Sequence, residues 1–167
     1  MPDWRLERLS RAHRREDFRS GQPPLDRFLQ TLATQYEKRK LARTMVAVAA
    51  NDSRVFGYYT LAAGGISLND LPPAVARKLP DHPIPVILLG RLAVDQSAQR
   101  QGLGAQLLRA ALQRCLESSE QVGVFAVTVA ALNEDAKRFY LNYGFETLQD
   151  NDLNLFLPIK DIEKGLQ

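Results

Sequence analysis

The stretch from Val86 to Ala105 leaves the chain few folds to choose from. Val86-Ile87-Leu88-Leu89-Gly90-Arg91-Leu92-Ala93-Val94 is almost wholly apolar and β-rich, with Pro83 and Pro85 bounding it upstream. Such a run suits a strand covered on both faces. From Leu103 onward, Leu107, Leu108, Ala111, Leu112 and Cys115 recur at steps of three and four, while Gln106, Arg109, Gln113 and Glu117 fall between them. That spacing predicts an amphipathic helix. The intervening loop therefore brings Arg100, Gln101, Gly102, Leu103 and Gly104 to a helix start, where backbone N–H groups lack intrahelical partners and the dipole is positive. A helix start of this kind binds phosphate, and glycines let a diphosphate come close to the N–H groups. The plainer reading is that Gly102 and Gly104 only shape a turn. A dinucleotide fold would need a third glycine and an acid about twenty positions on, but position 107 is Leu and residues 122–130 hold no acid. The Gly-Lys-Ser/Thr of a P-loop is absent too.

The remaining segments alternate. Trp4 to Leu9 can form a short strand offering Trp4, Leu6 and Leu9 to a core. After the irregular residues 11–24, Leu25, Phe28, Leu29, Leu32 and Tyr36 carry helical spacing to about Lys40. Residues 44–50 and 54–63 read as a hairpin around Asn51-Asp52-Ser53, with Gly64-Gly65 ending its second strand. Asp70 stands as the cap of a short helix entered through Pro72-Pro73. Residues 123–130 form a further strand, Asn133 caps a helix with Glu134 and Asp135 in its first turn, and Gly144 stops it. Leu153, Leu155 and Leu157 then alternate in a tail that adds one or two strands and ends at Pro158. The class is α/β with one mixed sheet.

At 167 residues, one domain is expected, with 45% apolar and 25% charged residues typical of a globule. No run of eighteen apolar residues and no export signal are visible, so a cytoplasmic location is expected. Cys115 lies on the apolar face of its helix and reads as packing. His13 and His82 fall in loop-like contexts, and neither a nucleophile triad nor metal-ligand spacing emerges. The net charge of +3 is uneven: residues 1–43 hold eleven Lys/Arg against six Asp/Glu, and residues 144–167 hold two against five. A basic front half suits a polyanionic partner and equally a solvated face.

Gln99-Arg100-Gln101-Gly102-Leu103-Gly104 resembles the pyrophosphate loop of the GNAT superfamily of acetyl-CoA-dependent N-acetyltransferases at every fixed position. Asn133-Glu134-Asp135-Ala136-Lys137-Arg138-Phe139-Tyr140-Leu141-Asn142-Tyr143-Gly144-Phe145 resembles that family's second block, with its Asn cap, Phe-Tyr pair and terminal Gly-Phe. The resemblance implies a single domain over residues 1–167, with a central mixed twisted sheet of about six to seven strands flanked by helices. It also implies acetyl-CoA as co-substrate without a metal. The cofactor would meet Leu92, Ala93 and Val94, the loop Gln99, Arg100, Gln101, Gly102, Leu103, Gly104 and Ala105, and Asn133, Phe139 and Tyr143. The pantetheine would lie where the strand ending at Val94 splays from the strand at 123–130, with Tyr140 facing the thioester as general acid. A free phenol, pKa about 10, is a weaker acid than a thiol at about 8.5, so the site would have to lower the phenol's pKa or restore its proton from water.

In one respect the chain departs from the family. Many GNAT enzymes carry a glutamate base on the central strand, where this chain has Gly90, Arg91 and Leu92, with Asp95 beyond the strand end. Near pH 7.5 a substantial share of an α-amine is neutral, against about a thousandth of a lysine. An α-amine substrate is therefore favoured. Phe18-Arg19-Ser20-Gly21, Leu25-Asp26-Arg27-Phe28-Leu29, Gly57-Tyr58-Tyr59-Thr60-Leu61, Leu89-Gly90-Arg91-Leu92-Ala93-Val94 and Arg138-Phe139-Tyr140 look like the GNAT toxins of bacterial toxin–antitoxin modules. That resemblance implies acetylation of aminoacyl-tRNA, a block to translation, a homodimer and a ribbon–helix–helix antitoxin. Lys38, Arg39, Lys40, Arg43, Arg77 and Lys78 would then face RNA phosphates, with Arg91 at the acceptor mouth. The rival reading is a GNAT enzyme acting on a small amine or a protein N-terminus.

Overall fold

Strands and helices alternate along nearly the whole chain in the computed structural model, which describes residues 3–165. Met1, Pro2, Leu166 and Gln167 lie outside the described residues. The strands are β1 (Trp4–Arg8), β2 (Arg43–Ala49), β3 (Gly57–Ile66), β4 (Ile84–Val94), β5 (Ala126–Ala130), β6 (Glu146–Thr147) and β7 (Asn154–Pro158). The helices are α1 (Pro23–Arg27), α2 (Ala33–Lys38), α3 (Pro73–Ala76), α4 (Leu103–Ser119), α5 (Glu134–Leu141) and α6 (Ile159–Gly165). All seven strands join one sheet in the order β1-β2-β3-β4-β5-β7-β6. β4 and β5 run parallel, while β1 with β2, β2 with β3, β5 with β7 and β6 with β7 are antiparallel. The mixed sheet of the expected class is thus present.

The chain divides into two compact units, one of residues up to Ala62 with Gly90–Ala111, the other of Ala63–Leu89 with residues from Leu112 onward. In the first unit Phe18, Phe28, Leu29, Ala33, Val46, Val48, Val55, Tyr58 and Ala93 form a buried cluster, with Leu9, Leu25 and Tyr36 at its margin. The other face of β3 takes the start of α4. A Cβ on Gly57 would stand 2.9 Å from Leu107 Cδ1, 3.1 Å from Leu103 Cδ2 and 3.2 Å from the Ala93 carbonyl oxygen. In the second unit Leu71, Ile84, Val86, Ala126, Leu148 and Phe156 form the core.

Several local expectations need correction. The helix expected from Leu25 to Lys40 is broken by a π-helical turn at Phe28–Leu32, between α1 and α2. There the Ala33 N–H bonds the Phe28 carbonyl, five residues back. Side chains serve two nearby carbonyls: the Thr31 hydroxyl donates to Arg27 at 2.7 Å, and the Arg15 guanidinium donates to Leu29 at 3.2 Å. The hairpin loop is longer than Asn51-Asp52-Ser53, because Arg54 leaves the ladder to bridge Arg14 and β3 begins only at Gly57. Gly64-Gly65 does not end β3, which runs on to Ile66. Asp70 is no cap for α3. It closes a 3₁₀ turn, Leu68–Asp70, capped by Ser67, and Pro72 caps α3 instead. β4 is half-open at its middle, where Leu88 is 37% exposed, and α6 follows a tail that showed no helical signal.

Gly57 sets how closely α4 can approach β3. Replacing it with alanine should lower stability by about 1–3 kcal/mol through overpacking against a backbone carbonyl, read as a lower urea midpoint at unchanged slope.

Candidate active site

β4 loses its neighbour before it ends. Its register with β5 runs from Val86–Ala126 to Leu89–Val129, yet the strand continues to Val94. At the same place the alternation of its side chains shifts. Tyr58 and Thr60 project to one face of β3, the face of the Phe28 cluster. A Cβ on Gly90 would stand 3.1 Å from Thr60 Oγ1, and the next residue, Arg91, lays its guanidinium carbon 3.7 Å above the Phe28 ring. Two consecutive residues serve one face, as at a β-bulge, a feature common beside active sites. Past it, Leu92 and Val94 are half-buried and Ala93 is buried.

Asp95 then fixes the exit from β4. It is 3% exposed, and its amide donates to the Phe56 carbonyl at 2.7 Å. Its Oδ1 accepts the Arg19 N–H at 2.8 Å. Its Oδ2 accepts the Ser97 N–H at 3.0 Å, the Ser97 hydroxyl at 2.6 Å and Arg54 at 3.3 Å. Burial pushes the carboxyl up, but these donors outweigh it and hold it below the usual carboxylate range. The carboxylate is thus an anchor and not a free base. From it a 3₁₀ turn, Gln96–Ala98, leads into the glycine loop.

The Gln99 amide donates to the carbonyls of Ser20 and Val94, both at 2.9 Å, and the Gln101 amide to Ser97 at 3.3 Å. Arg100 and Gly102 take left-handed backbone, φ 65° and 84°. Gly102 has open space around it, so conformation and not crowding calls for glycine there. Its carbonyl accepts the Gln106 N–H at 3.1 Å, which makes it the start of α4. The N–H groups of Leu103, Gly104 and Ala105 therefore lie in the first turn, where no intrahelical carbonyl reaches them. Leu103 buries its side chain, so only its backbone can meet a ligand.

Tyr140 belongs to the other unit. Asn133 caps α5 by accepting the Ala136 N–H at 2.9 Å, and Glu134 and Asp135 favour the first turn. Tyr140 is 7% exposed between Phe139 and Phe145, at ring separations of 5.3 and 5.4 Å, while Tyr143 packs on Phe139 at 5.2 Å and is itself exposed. Gly144, φ 95°, reverses the chain so that Phe145 can return under Tyr140. The Tyr140 hydroxyl has no hydrogen-bond partner among the described residues. Burial pushes its pKa well above the ordinary phenol value, opposite to the lowering that a simple acid would need.

The basic residues separate. Lys38, Arg39 and Lys40 are exposed at the end of α2, with Lys40 in left-handed backbone, and Arg43 is drawn to Glu37 at 3.8 Å, which also meets Arg8 at 3.7 Å. Arg77 and Lys78 are exposed after α3 in the second unit. Cys115 is buried, and burial pushes its thiol up to about 12, where it is no nucleophile. His13 is buried as well. It accepts the Ser10 N–H at Nδ1 and donates from Nε2 to Glu7 at 2.8 Å, a structural pair. No group of three or more His, Cys, Asp or Glu among the described residues could hold a metal ion. No helix is long and apolar enough to cross a membrane. Sequence reasoning passed over Asp95 as an anchor, because its partners lie as far as 76 residues away and no local signal marks them.

A glycine loop feeding a helix start, an interrupted parallel strand pair and a buried phenol on a capped helix agree with comparison to known proteins. The family model described as Acetyltransferase (GNAT) domain matches residues 42–147, and the chain belongs to that family. It is 41% identical over 154 residues to the tRNA-acetylating toxin of Mycobacterium tuberculosis, covering 92% of this chain and 91% of that one. Among solved structures it is similar to AtaT complexed with acetyl-methionyl-tRNAfMet, at 34% identity and TM-score 0.91 over 99% of this chain and 100% of that one. It is also similar to a tyrosine-to-phenylalanine AtaT toxin bound to acetyl-CoA and to the C-terminus of the antitoxin AtaR. There the identity is 31% and the TM-score 0.84, over 99% of each chain.

Asp95→Asn should cost about 2–4 kcal/mol, because an amide cannot accept from all these donors. The native carboxyl titrates below its unfolded value, so its stabilising contribution is present above about pH 4 and is lost as pH falls through the native value. The difference in urea midpoint between wild type and Asp95→Asn should therefore be full at pH 7 and begin to narrow below about pH 4.

Proposed function

We propose that the protein transfers acetyl from acetyl-CoA to the α-amino group of aminoacyl-tRNA and so withdraws charged tRNA from translation. The observation that carries this reading is the combination of a buried, protonated Tyr140 with a β4 end that offers no free carboxylate base. An α-amine needs no such base, since much of it is neutral near pH 7.5. The orphan N–H groups at the start of α4 receive the cofactor's diphosphate. Backbone donors from Leu92 to Val94 stabilise the oxyanion that forms when the amine attacks the thioester carbonyl.

Protons then have to balance. The attacking amine gains a positive charge and must lose a proton, and the departing thiolate must gain one. With its proton held so firmly, Tyr140 does not ionise by itself. It passes its proton to the sulfur as the C–S bond breaks and regains one from the nitrogen, so no external acid is consumed. Solved AtaT with a tyrosine replaced by phenylalanine and acetyl-CoA bound fits this assignment.

Lys38, Arg39 and Lys40, with Arg77 and Lys78, are exposed cations available to RNA phosphates, while Arg43 acts at reduced effect beside Glu37. The protein acts in the cytoplasm as a homodimer under a ribbon–helix–helix antitoxin. The AtaT complex with the AtaR C-terminus supports an antitoxin partner.

Labelled acetyl-CoA and a pool of charged tRNAs test the reading. Label should appear on the aminoacyl group, and Tyr140→Phe should lower kcat by about 10²- to 10⁴-fold with little change in either KM. Sound acetyl-CoA binding with no label on tRNA would sink the substrate assignment.

A further inference from the structure

Resting on that reading, we infer that Arg91 is a positioning residue that grips the phosphodiester on the 5′ side of the tRNA's terminal adenosine. Of the half-buried arginines of its unit, Arg54 pairs with Asp95 at 3.3 Å and Arg15 donates to the Leu29 carbonyl. Arg91 is half-buried and has neither an ion pair nor a hydrogen bond among the described residues. Its contacts are aromatic: the guanidinium carbon lies 3.7 Å above Phe28 and 5.6 Å from the Tyr36 ring centre. Stacking occupies the flat face of the guanidinium and leaves its N–H edge free, the edge that matches phosphate with two parallel hydrogen bonds.

Two backbone irregularities meet at this contact. The π-helical turn begins at Phe28, and the side-chain alternation of β4 shifts just before Arg91. Both features gather at functional sites. A side chain that merely covered Phe28 would require neither, and would not leave a cation without a counter-ion.

The ligand's chemistry follows from position. Arg91 precedes Ala93 by two residues, about 7 Å along a strand. In charged tRNA one ribose and its ester separate the α-amine from the nearest anion, the terminal phosphodiester. An amine reacting beside the Leu92–Val94 segment can therefore leave that phosphate within reach of the Arg91 fork. A fixed cation also disfavours a protonated or polycationic amine in the same place.

The test uses 3′-aminoacylamino-adenosine, which keeps the α-amine, with and without a 5′-phosphate. Wild type should show a KM lower by about 10- to 100-fold for the phosphorylated compound. Arg91→Gln should have equal KM for both, with kcat and the acetyl-CoA KM within a few-fold of wild type. Arg91→Lys should keep part of the preference, since it retains charge and loses the fork. No preference in wild type, which needs no variant to interpret, overturns the proposal, as does a preference that survives in Arg91→Gln. Acetylation of other amines by wild type but of neither adenosine compound would instead refute the tRNA reading itself.

Discussion

A single buried carboxylate holds together the segments that converge on the glycine loop. Asp95 stands where β4 ends, and its two oxygens gather donors from Arg19, Arg54 and Ser97. Without that anion, four donors would lose their common acceptor. With it, the irregular segment around Arg19, the hairpin loop at Arg54 and the turn before the glycine loop are tied to one point. The Gln99 amide extends the same arrangement by bonding Ser20 and Val94. The loop therefore reaches α4 in a defined geometry, which would limit the ordering cost of the diphosphate binding proposed for it.

The same residue accounts for the missing base. An acid lies only one residue past the strand, but its lone pairs are taken and its proton affinity is lowered. Under the proposed function, chemistry at the end of β4 relies on a nucleophile that arrives neutral, since the carboxylate there is no free base. In the second unit Tyr140 is buried in an aromatic cage, which keeps the phenol protonated. Two opposite pKa perturbations thus mark the chain, a carboxylate made more acidic by its donors and a phenol made less so by burial.

What was legible in the sequence is what is local. The glycine loop, the apolar face of α4, the Asn133 cap and the Gly144 stop each depend on neighbours within a helical turn or two, and each is where periodicity placed it. The features that escaped depend on distant partners. The spacing of Leu25, Phe28, Leu29 and Leu32 is that of an α-helix, and the widened turn draws on Arg15, brought in from the preceding irregular segment, as well as on Thr31 within it. Asp70 had a capping residue's chemistry, but Ser67 began an earlier turn. Gly64-Gly65 signalled an end to β3 that the neighbouring strand overrode, since a Cβ on Gly64 would still lie 3.5 Å from Val86.

A π-helical turn is how a helix absorbs one extra residue without moving its ends. Between α1 and α2 the chain keeps the hydrophobic anchors Leu29 and Ala33 in the core and carries the surplus as a local widening at Phe28–Leu32. In evolutionary terms this separates two properties that an ordinary helix couples. The length of the segment can change by one residue while its fold persists. A single residue inserted or deleted here can be taken up in the widening, leaving Leu29, Ala33 and the core they belong to as they were.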